Sequence, residues 1–418
     1  MDQFRIRGGV PLRGEVAASG SKNASLPILA ASLLAGGPCR LRGVPILRDV
    51  STFLELLDGF GVRHQWTGAN EILLDPANAR PGTAPYDLVR TMRASVMVLG
   101  PLLARFGHAR VSLPGGCAIG ARPIDQHLKG LEALGADIRL EAGYIDARAE
   151  RLRGARISFD LTTVTGTKNL MMAAALAEGV TVLENAAREP EVSALADLLN
   201  QMGARVRGAG TSIVEVEGVR SLRGFEVEVL PDRIETGTLM IAGAITRGDV
   251  KVRRCVPAHV DALTLRLREA GLGVTEGEDW VRVEWQGGIR PVNVRTAPYP
   301  GFPTDLQAQF MALMTLAEGA CAITETIFEN RFMHAAELVR MGARIALDGR
   351  TAHVEGVPAL QGAVVMATDL RASASLVLAG LAASGETVVR RVYHLDRGYE
   401  SLETRLRSLG AGIVRVAE

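Results

Sequence analysis

The chain has 418 residues, of which 47% are hydrophobic and 22% charged, and its formal net charge is +1. That length predicts two or three domains with room for large cores, and the near-neutral balance excludes a global field that would draw the chain to nucleic acid or an anionic membrane. No apolar run reaches the ~18 residues of a membrane span, and no basic stretch leads into an apolar signal core, so the expected location is cytoplasmic.

Read from its start, the chain writes one unit six times at a period of about seventy residues. Each unit begins with a short polar turn and an apolar run that closes on Gly, from Gly20, Met92, Gly166, Glu235, Thr304 and Asp369. Ala, Leu and Met lie on nearly every side of these runs, which predicts helices buried all round. A β-branched segment follows, as at Ala109 to Leu113, Val180 to Leu183, Asp249 to Val252 and Glu386 to Val389, and then a loop and an amphipathic helix. The second helices share one stop: Phe60-Gly61, Leu134-Gly135, Met202-Gly203, Ala270-Gly271, Met341-Gly342 and Leu409-Gly410, each leading into an alternating strand such as Asp137 to Leu140. Six such units predict an α/β fold of two inside-out domains with helices inside and sheets outside. The expected boundaries are 22–229 for the first three-unit domain, and 1–21 with 230–418 for the second. Two crossings of the chain between the domains would leave a cleft able to close like a hinge.

Four cysteines, Cys39, Cys117, Cys255 and Cys321, have no C-x-x-C spacing, which argues for free thiols rather than a zinc site or disulfides. Cys39, Cys255 and Cys321 sit at strand entrances and read as core. Trp66, Trp280 and Trp285 read as strand residues that cover sheet faces. Cys117 differs, because Leu113-Pro-Gly-Gly-Cys117-Ala-Ile-Gly-Ala-Arg122-Pro123 is an open glycine loop. Its exposed amides and Arg122 would lower the cost of a thiolate.

Aligning the units places Arg48, Arg122, Arg188, Arg331 and Arg397, with His259 in the remaining copy, at the start of the second helix. Lys22, Arg93, Lys168 and Arg371 stand at the start of the buried helix, with Thr236 and Asp305 in the other two copies. A cation at a helix N-terminus is unfavourable unless an anion is shared there. Neighbouring acids such as Asp49, Glu189 and Asp396 would satisfy about half of the arginines, and the rest predict a ligand with more than one anionic group. A phosphorylated carboxylic acid or a nucleotide fits. There is no Gly-x-x-x-x-Gly-Lys-Ser/Thr loop, no Gly-x-Gly-x-x-Gly after a strand and no metal-ligand spacing, so no cofactor or metal is expected.

At Ser19-Gly-Ser-Lys22-Asn23, Leu113 to Cys117, Arg122-Pro-Ile-Asp125, Phe302-Pro-Thr-Asp305, Phe328-Glu-Asn-Arg331, Ala367-Thr-Asp369-Leu-Arg371 and Asp396-Arg397-Gly-Tyr, the chain resembles the UDP-N-acetylglucosamine 1-carboxyvinyltransferases. These group with the 3-phosphoshikimate carboxyvinyltransferases, and the resemblance spans the whole length. It implies two inside-out α/β domains. It also implies transfer of enolpyruvyl from phosphoenolpyruvate to the sugar 3-hydroxyl, with release of phosphate, as the first committed step of peptidoglycan synthesis.

By the same resemblance Cys117 protonates the methylene carbon or forms a covalent adduct, and Asp305 takes the hydroxyl proton and later one from the methyl group. Lys22 and Arg397 complete the catalytic set. Phosphoenolpyruvate would be held by Lys22, Asn23, Arg122, Arg331, Arg371 and Arg397. The UDP-sugar would be held by Asn23, Arg93, Arg122, Pro123, Ile124, Asp125, Gln126, Thr163, Val164, Asp305 and Ile327. Asp369 would orient Arg371 or the substrate, or cap a helix. Lys168 and Asn169 depart from some relatives, which leaves the contacts around Thr162 to Asn169 open. Two alternatives stand beside this reading. Transfer to shikimate 3-phosphate is disfavoured by the Cys117 loop, and a non-catalytic UDP-sugar sensor is disfavoured by the presence of both Cys117 and Asp305.

Overall fold

The structure, a computed structural model, describes residues 2–113 and 124–417. Among them are thirteen α-helices: α1 (Lys22–Ala31), α2 (Arg48–Gly59), α3 (Tyr86–Val89), α4 (Leu99–Phe106), α5 (Asp125–Ala133), α6 (Val164–Ala174), α7 (Pro190–Met202), α8 (Arg233–Ile245), α9 (Asp261–Glu269), α10 (Gln307–Met314), α11 (Met333–Arg340), α12 (Leu370–Ala382) and α13 (Leu402–Ser408).

The apolar runs become buried helices because they have no polar face to show to water. Every residue of α10 is buried, as is every residue of α8 after Arg233. Their ends are satisfied by short side chains. Ser21, Thr163, Asp232 and Asp369 each accept a hydrogen bond from a backbone N–H in the first turn of α1, α6, α8 and α12. The second helices bury a single face, as α2 does with Val50, Phe53, Leu54, Leu56 and Leu57. At all six predicted stops the glycine has φ between 82° and 108°, a left-handed conformation that costs glycine little.

Among the described residues six four-stranded sheets repeat one pairing pattern, one parallel and two antiparallel contacts. Phe225–Glu228 runs parallel to Cys39–Arg42, which pairs antiparallel with Glu71–Asp75, which in turn pairs antiparallel with Arg63–Gly68. Near the start of the chain, Asp2–Arg7 lies between Glu386–Arg390 and Gly412–Ala417, and Arg13–Ala17 pairs parallel with Asp249–Arg253. The described residues form two compact units, one of 20–113 with 124–230 and the other of 2–19 with 231–417. Each has its own apolar core. In the first, α4 packs on α6; in the second, α8, α10 and α12 pack on one another, with sheets against their outer sides.

Three details differ from the sequence expectation. Lys168 lies a full turn inside α6, because Thr163 caps the helix ahead of it. Trp285 falls one residue beyond the strand Trp280–Glu284 and stacks with Arg247, whose Cζ is 5.5 Å from the ring centroid. Cys255 lies two residues past the strand Asp249–Arg253 rather than at a strand entrance. Cys39, Cys255 and Cys321 are buried, and desolvation pushes their thiols up to about 12, 11 and 11, which keeps them protonated and unreactive. No helix among the described residues is long and apolar enough to cross a membrane.

The repeat also recurs at backbone level. Gly218 and Gly356 follow equivalent strands, and their N–H groups donate to Gly179 O at 3.0 Å and Gly319 O at 2.8 Å. A Cβ at either position would come within 1.7 Å of a backbone oxygen, that of Ala177 or Ala317. Gly356→Ala is therefore expected to lower stability by roughly 1–3 kcal/mol in urea unfolding. Gly59→Ala, on an exposed stretch of α2 with nothing within 4 Å, should raise it by about 0.5–1 kcal/mol.

Candidate functional site

In the unit containing 231–417, Phe302-Pro-Thr-Asp305 tightens into a 3₁₀ turn, Thr304–Leu306, that feeds directly into buried α10. Asp305 therefore stands at a helix N-terminus, with its side chain 27% exposed. Two guanidinium groups hold it. Arg331, just before α11 and 6% exposed, donates from Nη2 to Oδ1 at 2.8 Å; Arg371, the second residue of α12 and 3% exposed, donates from Nη2 to Oδ2 at 3.2 Å. Burial works against the Arg371 charge, and Tyr399, Asp305 and Asp232 outweigh it, so the guanidinium is held above its ordinary pKa. Among the described residues its buried Nε and Nη1 have no hydrogen-bond partner.

A buried carboxylate missed in the sequence organises the neighbouring turn. Glu325 Oε2 accepts from Thr304 Oγ1 at 2.7 Å, while Oε1 accepts from Thr296 Oγ1 at 2.9 Å and from the backbone N–H of Ile327 at 2.7 Å. Arg331 Nη1 donates to Thr304 Oγ1 at 2.8 Å, so Ile327, Arg331 and Asp305 share one network. The signal was present as Thr324-Glu325-Thr326 at the end of an apolar strand, where a lone acid flanked by hydroxyls needs buried partners. Asp369 Oδ1 accepts from Arg371 N–H at 2.9 Å and Ala372 N–H at 3.1 Å, which is a helix cap. Arg397, half-buried, ends the 3₁₀ segment Val392–Arg397. Its neighbour Asp396 pairs with Arg415 at 3.1 Å.

In the other unit, Lys22 opens α1 and its Nζ lies 3.3 Å from Asp49 Oδ2, so this acid serves Lys22. The carbonyl of Asn23 accepts from Lys168 Nζ at 2.9 Å. Arg93 opens the 3₁₀ turn Arg93–Val98 ahead of α4. Ile124 precedes α5, and Asp125 and Gln126 form its start. The Gln126 amide grips Asp160, donating from Nε2 to Oδ2 at 3.1 Å and accepting from the backbone N–H at 3.0 Å. Thr163 caps α6 and Val164 begins it.

These two helix starts are joined by His127, also missed in the sequence. Its Nδ1 lies 2.9 Å from Asn169 Nδ2 and its Nε2 lies 3.2 Å from Thr165 Oγ1. Desolvation pushes its pKa down to about 4, so the ring is neutral, accepting at Nδ1 and donating at Nε2. Asn169 Oδ1 accepts from the Gly100 N–H at 2.8 Å. Asn169 is thus a fully buried interior fastener of α4, α5 and α6. Cys117, Arg122 and Pro123 lie outside the described residues. Among the described residues no cluster of His, Cys, Asp or Glu is arranged to hold a metal.

The family model of EPSP synthase (3-phosphoshikimate 1-carboxyvinyltransferase) matches residues 6–406. The chain belongs to this enzyme family. It is 58% identical over 418 residues to UDP-N-acetylglucosamine 1-carboxyvinyltransferase of Geobacter metallireducens, and 59% identical over 422 residues to the protein of the same name from Trichlorobacter lovleyi, with 100% of both chains covered in each case. Among solved structures, the enolpyruvyl transferase NikO from Streptomyces tendae aligns with a TM-score of 0.89 at 29% identity, covering 100% of this chain and 99% of that one. EPSP synthase from Acinetobacter baumannii aligns with a TM-score of 0.79 at 18% identity over the whole of both chains, a likeness of fold alone. The α/β enolpyruvyl transferase fold is therefore the fold of this chain.

Because the folded pKa of His127 is depressed, its contribution to stability is complete above the unfolded value near 6.5 and is lost as pH falls towards 4. The loss amounts to about 3 kcal/mol. Urea unfolding across that window should show it in the wild type, with a flatter profile in His127→Gln. Asn169→Ala leaves the Gly100 N–H and His127 Nδ1 without partners and should cost about 2–4 kcal/mol at pH 7.

Proposed function

We infer that the chain transfers the enolpyruvyl group of phosphoenolpyruvate to the 3-hydroxyl of UDP-N-acetylglucosamine with release of phosphate. What carries this reading is the Asp305 carboxylate, set at the mouth of a buried helix between Arg331 and Arg371, in a chain that matches proteins named for this activity from end to end.

Asp305 takes the proton of the attacking hydroxyl, and the new C–O bond forms at C2 of phosphoenolpyruvate while Cys117 delivers a proton to C3. In the second half Asp305, having passed the first proton to solvent, removes a proton from the methyl group, the C2–C3 double bond re-forms, and the bond from C2 to the phosphate oxygen breaks so that phosphate leaves with the electron pair. Lys22, Asn23, Arg122, Arg331, Arg371 and Arg397 bind the phosphate and carboxylate, and Lys22 and Arg397 stabilise the charge that develops in the tetrahedral intermediate. The two unclaimed N–H groups of Arg371 suit that task. The UDP-sugar rests on Asn23, Arg93, 122–126, Thr163, Val164 and Ile327, with its 3-hydroxyl at Asp305. Only proton transfers and charge stabilisation are required, so no cofactor enters the scheme.

The residues divide over two domains, 22–229 and 1–21 with 230–418, a division supported by the compact units that part after Ser19 and Leu230. The product would feed peptidoglycan synthesis in the cytoplasm, placing the chain in cell wall formation and cell division. A thiol at Cys117 would make it a target of the epoxide phosphonate fosfomycin.

Phosphate should be released from phosphoenolpyruvate only when UDP-N-acetylglucosamine is present, in a coupled phosphate assay. Equal release with shikimate 3-phosphate overturns the acceptor. Asp305→Asn should lower kcat about 10²–10⁴-fold. Cys117→Ser should lose most turnover and resist fosfomycin, whereas Cys117→Asp keeps an acid and works without being alkylated. Labelling of buried Cys255 or Cys321 in the wild type would place the reactive thiol elsewhere.

A further inference from the structure

Tyr399 lies two residues beyond Arg397 and is only 2% exposed. Its hydroxyl is 2.9 Å from Thr238 Oγ1 and 3.1 Å from Gln309 Nε2. The direction of these bonds is fixed at both ends. Thr238 Oγ1 donates to the Ile234 carbonyl at 2.8 Å and so accepts from Tyr399. Gln309 Nε2 also faces the Asp305 carbonyl at 3.0 Å, an acceptor only, which settles the orientation of the amide. Gln309 Nε2 also lies 3.2 Å from Thr238 Oγ1, so its second N–H is shared between the Tyr399 and Thr238 oxygens, while the Tyr399 O–H donates to Thr238 and Thr238 donates to the Ile234 carbonyl. This chain ties α8, α10 and the segment after Arg397 to the backbone of Asp305.

The ring does separate work. Arg371 Cζ sits 5.1 Å from its centroid. An acid in that place would neutralise the guanidinium by occupying its N–H groups, but an aromatic face stabilises the charge and leaves the donors free. Arg371 spends Nη2 on Asp305 and keeps Nε and Nη1 unclaimed among the described residues. Burial holds the Tyr399 phenol above its ordinary pKa against the pull of Arg371, so the ring remains neutral.

We propose that Tyr399 is a positioning residue for the transfer reaction. Its ring, 5.1 Å from Arg371 Cζ, orients a guanidinium whose Nε and Nη1 have no hydrogen-bond partner among the described residues and can meet the anionic oxygens of phosphoenolpyruvate, and its hydroxyl, through Gln309, fixes the turn that presents the Asp305 carboxylate. This rests on the function inferred above.

The test compares Tyr399→Phe and Tyr399→Leu with the wild type by kcat, by KM for each substrate and by thermal midpoint. Tyr399→Phe keeps the ring and cuts the proton chain, so kcat should fall about tenfold while KM for phosphoenolpyruvate stays within about twofold. Tyr399→Leu removes both, and KM for phosphoenolpyruvate should rise about tenfold or more as well, with KM for UDP-N-acetylglucosamine unchanged. Wild-type kinetics in both variants, or an equal rise of both KM values alongside a lowered midpoint, overturns the assignment alone. Should Tyr399→Leu fail to fold, the Tyr399→Phe split decides. A wild type that releases no phosphate with UDP-N-acetylglucosamine overturns the function itself, and this assignment with it.

Discussion

A helix buried on every side must have each of its polar groups satisfied inside the protein, its first-turn N–H groups above all, and this constraint organises the chemistry of each unit. α8, α10 and α12 pack on one another with no polar flank, so the N–H groups of their first turns must be satisfied inside the protein. Each start carries an aspartate: Asp232, Asp305 and Asp369. Asp232 and Asp369 spend an oxygen on backbone N–H groups as caps. Asp305 caps nothing. Its two oxygens accept from Arg331 and Arg371, and its side chain is 27% exposed. The three acids look alike in sequence, and the cap geometry separates Asp305, held by guanidinium groups, from the two that cap their helices.

The other unit solves the same problem without negative charge. Ser21 and Thr163 cap α1 and α6 through hydroxyl oxygens. Such caps satisfy the N–H groups while leaving the positive end of the helix uncompensated, which favours an anion. Lys22 adds charge at the start of α1 and Arg93 at the 3₁₀ turn ahead of α4, and Lys168 bonds back to the Asn23 carbonyl, holding α6 to α1. One unit thus supplies hydroxyl-capped helix ends suited to anionic ligands, and the other a carboxylate among arginines suited to moving protons.

The buried helices, their glycine stops and the six-fold unit were legible in the sequence because each depends on spacing within a few turns. The placing of Asp305, Arg331 and Arg371 at or just before helix starts was legible too, through local motifs. What was not legible depends on partners distant along the chain. His127 meets Asn169 across 42 residues and Tyr399 meets Thr238 across 161. Asp396 goes to Arg415 rather than to its neighbour Arg397, and Asp49 goes to Lys22, because the fold offers each acid a better-placed cation than the adjacent one. Local pairing rules cannot rank such choices without the packing.

The same logic accounts for a costly buried pair. Glu235, in the first turn of α8, is fully buried, and desolvation raises its pKa to about 7 even with Arg405 Nε 3.0 Å away. Ion pairs of this kind seldom repay their desolvation. Glu235 accepts from the Ser19 N–H at 3.0 Å, Arg405 donates to the Ala17 carbonyl at 2.5 Å, and Asp232 N–H donates to Ser19 O at 2.8 Å. The pair therefore clamps the chain just before Lys22, beside the cap of α8 where the chain returns at Asp232. Apolar side chains of equal volume could fill that space but could not grip a backbone amide and a carbonyl there. The contacts hold the chain at Ala17 and Ser19 against α8 and α13.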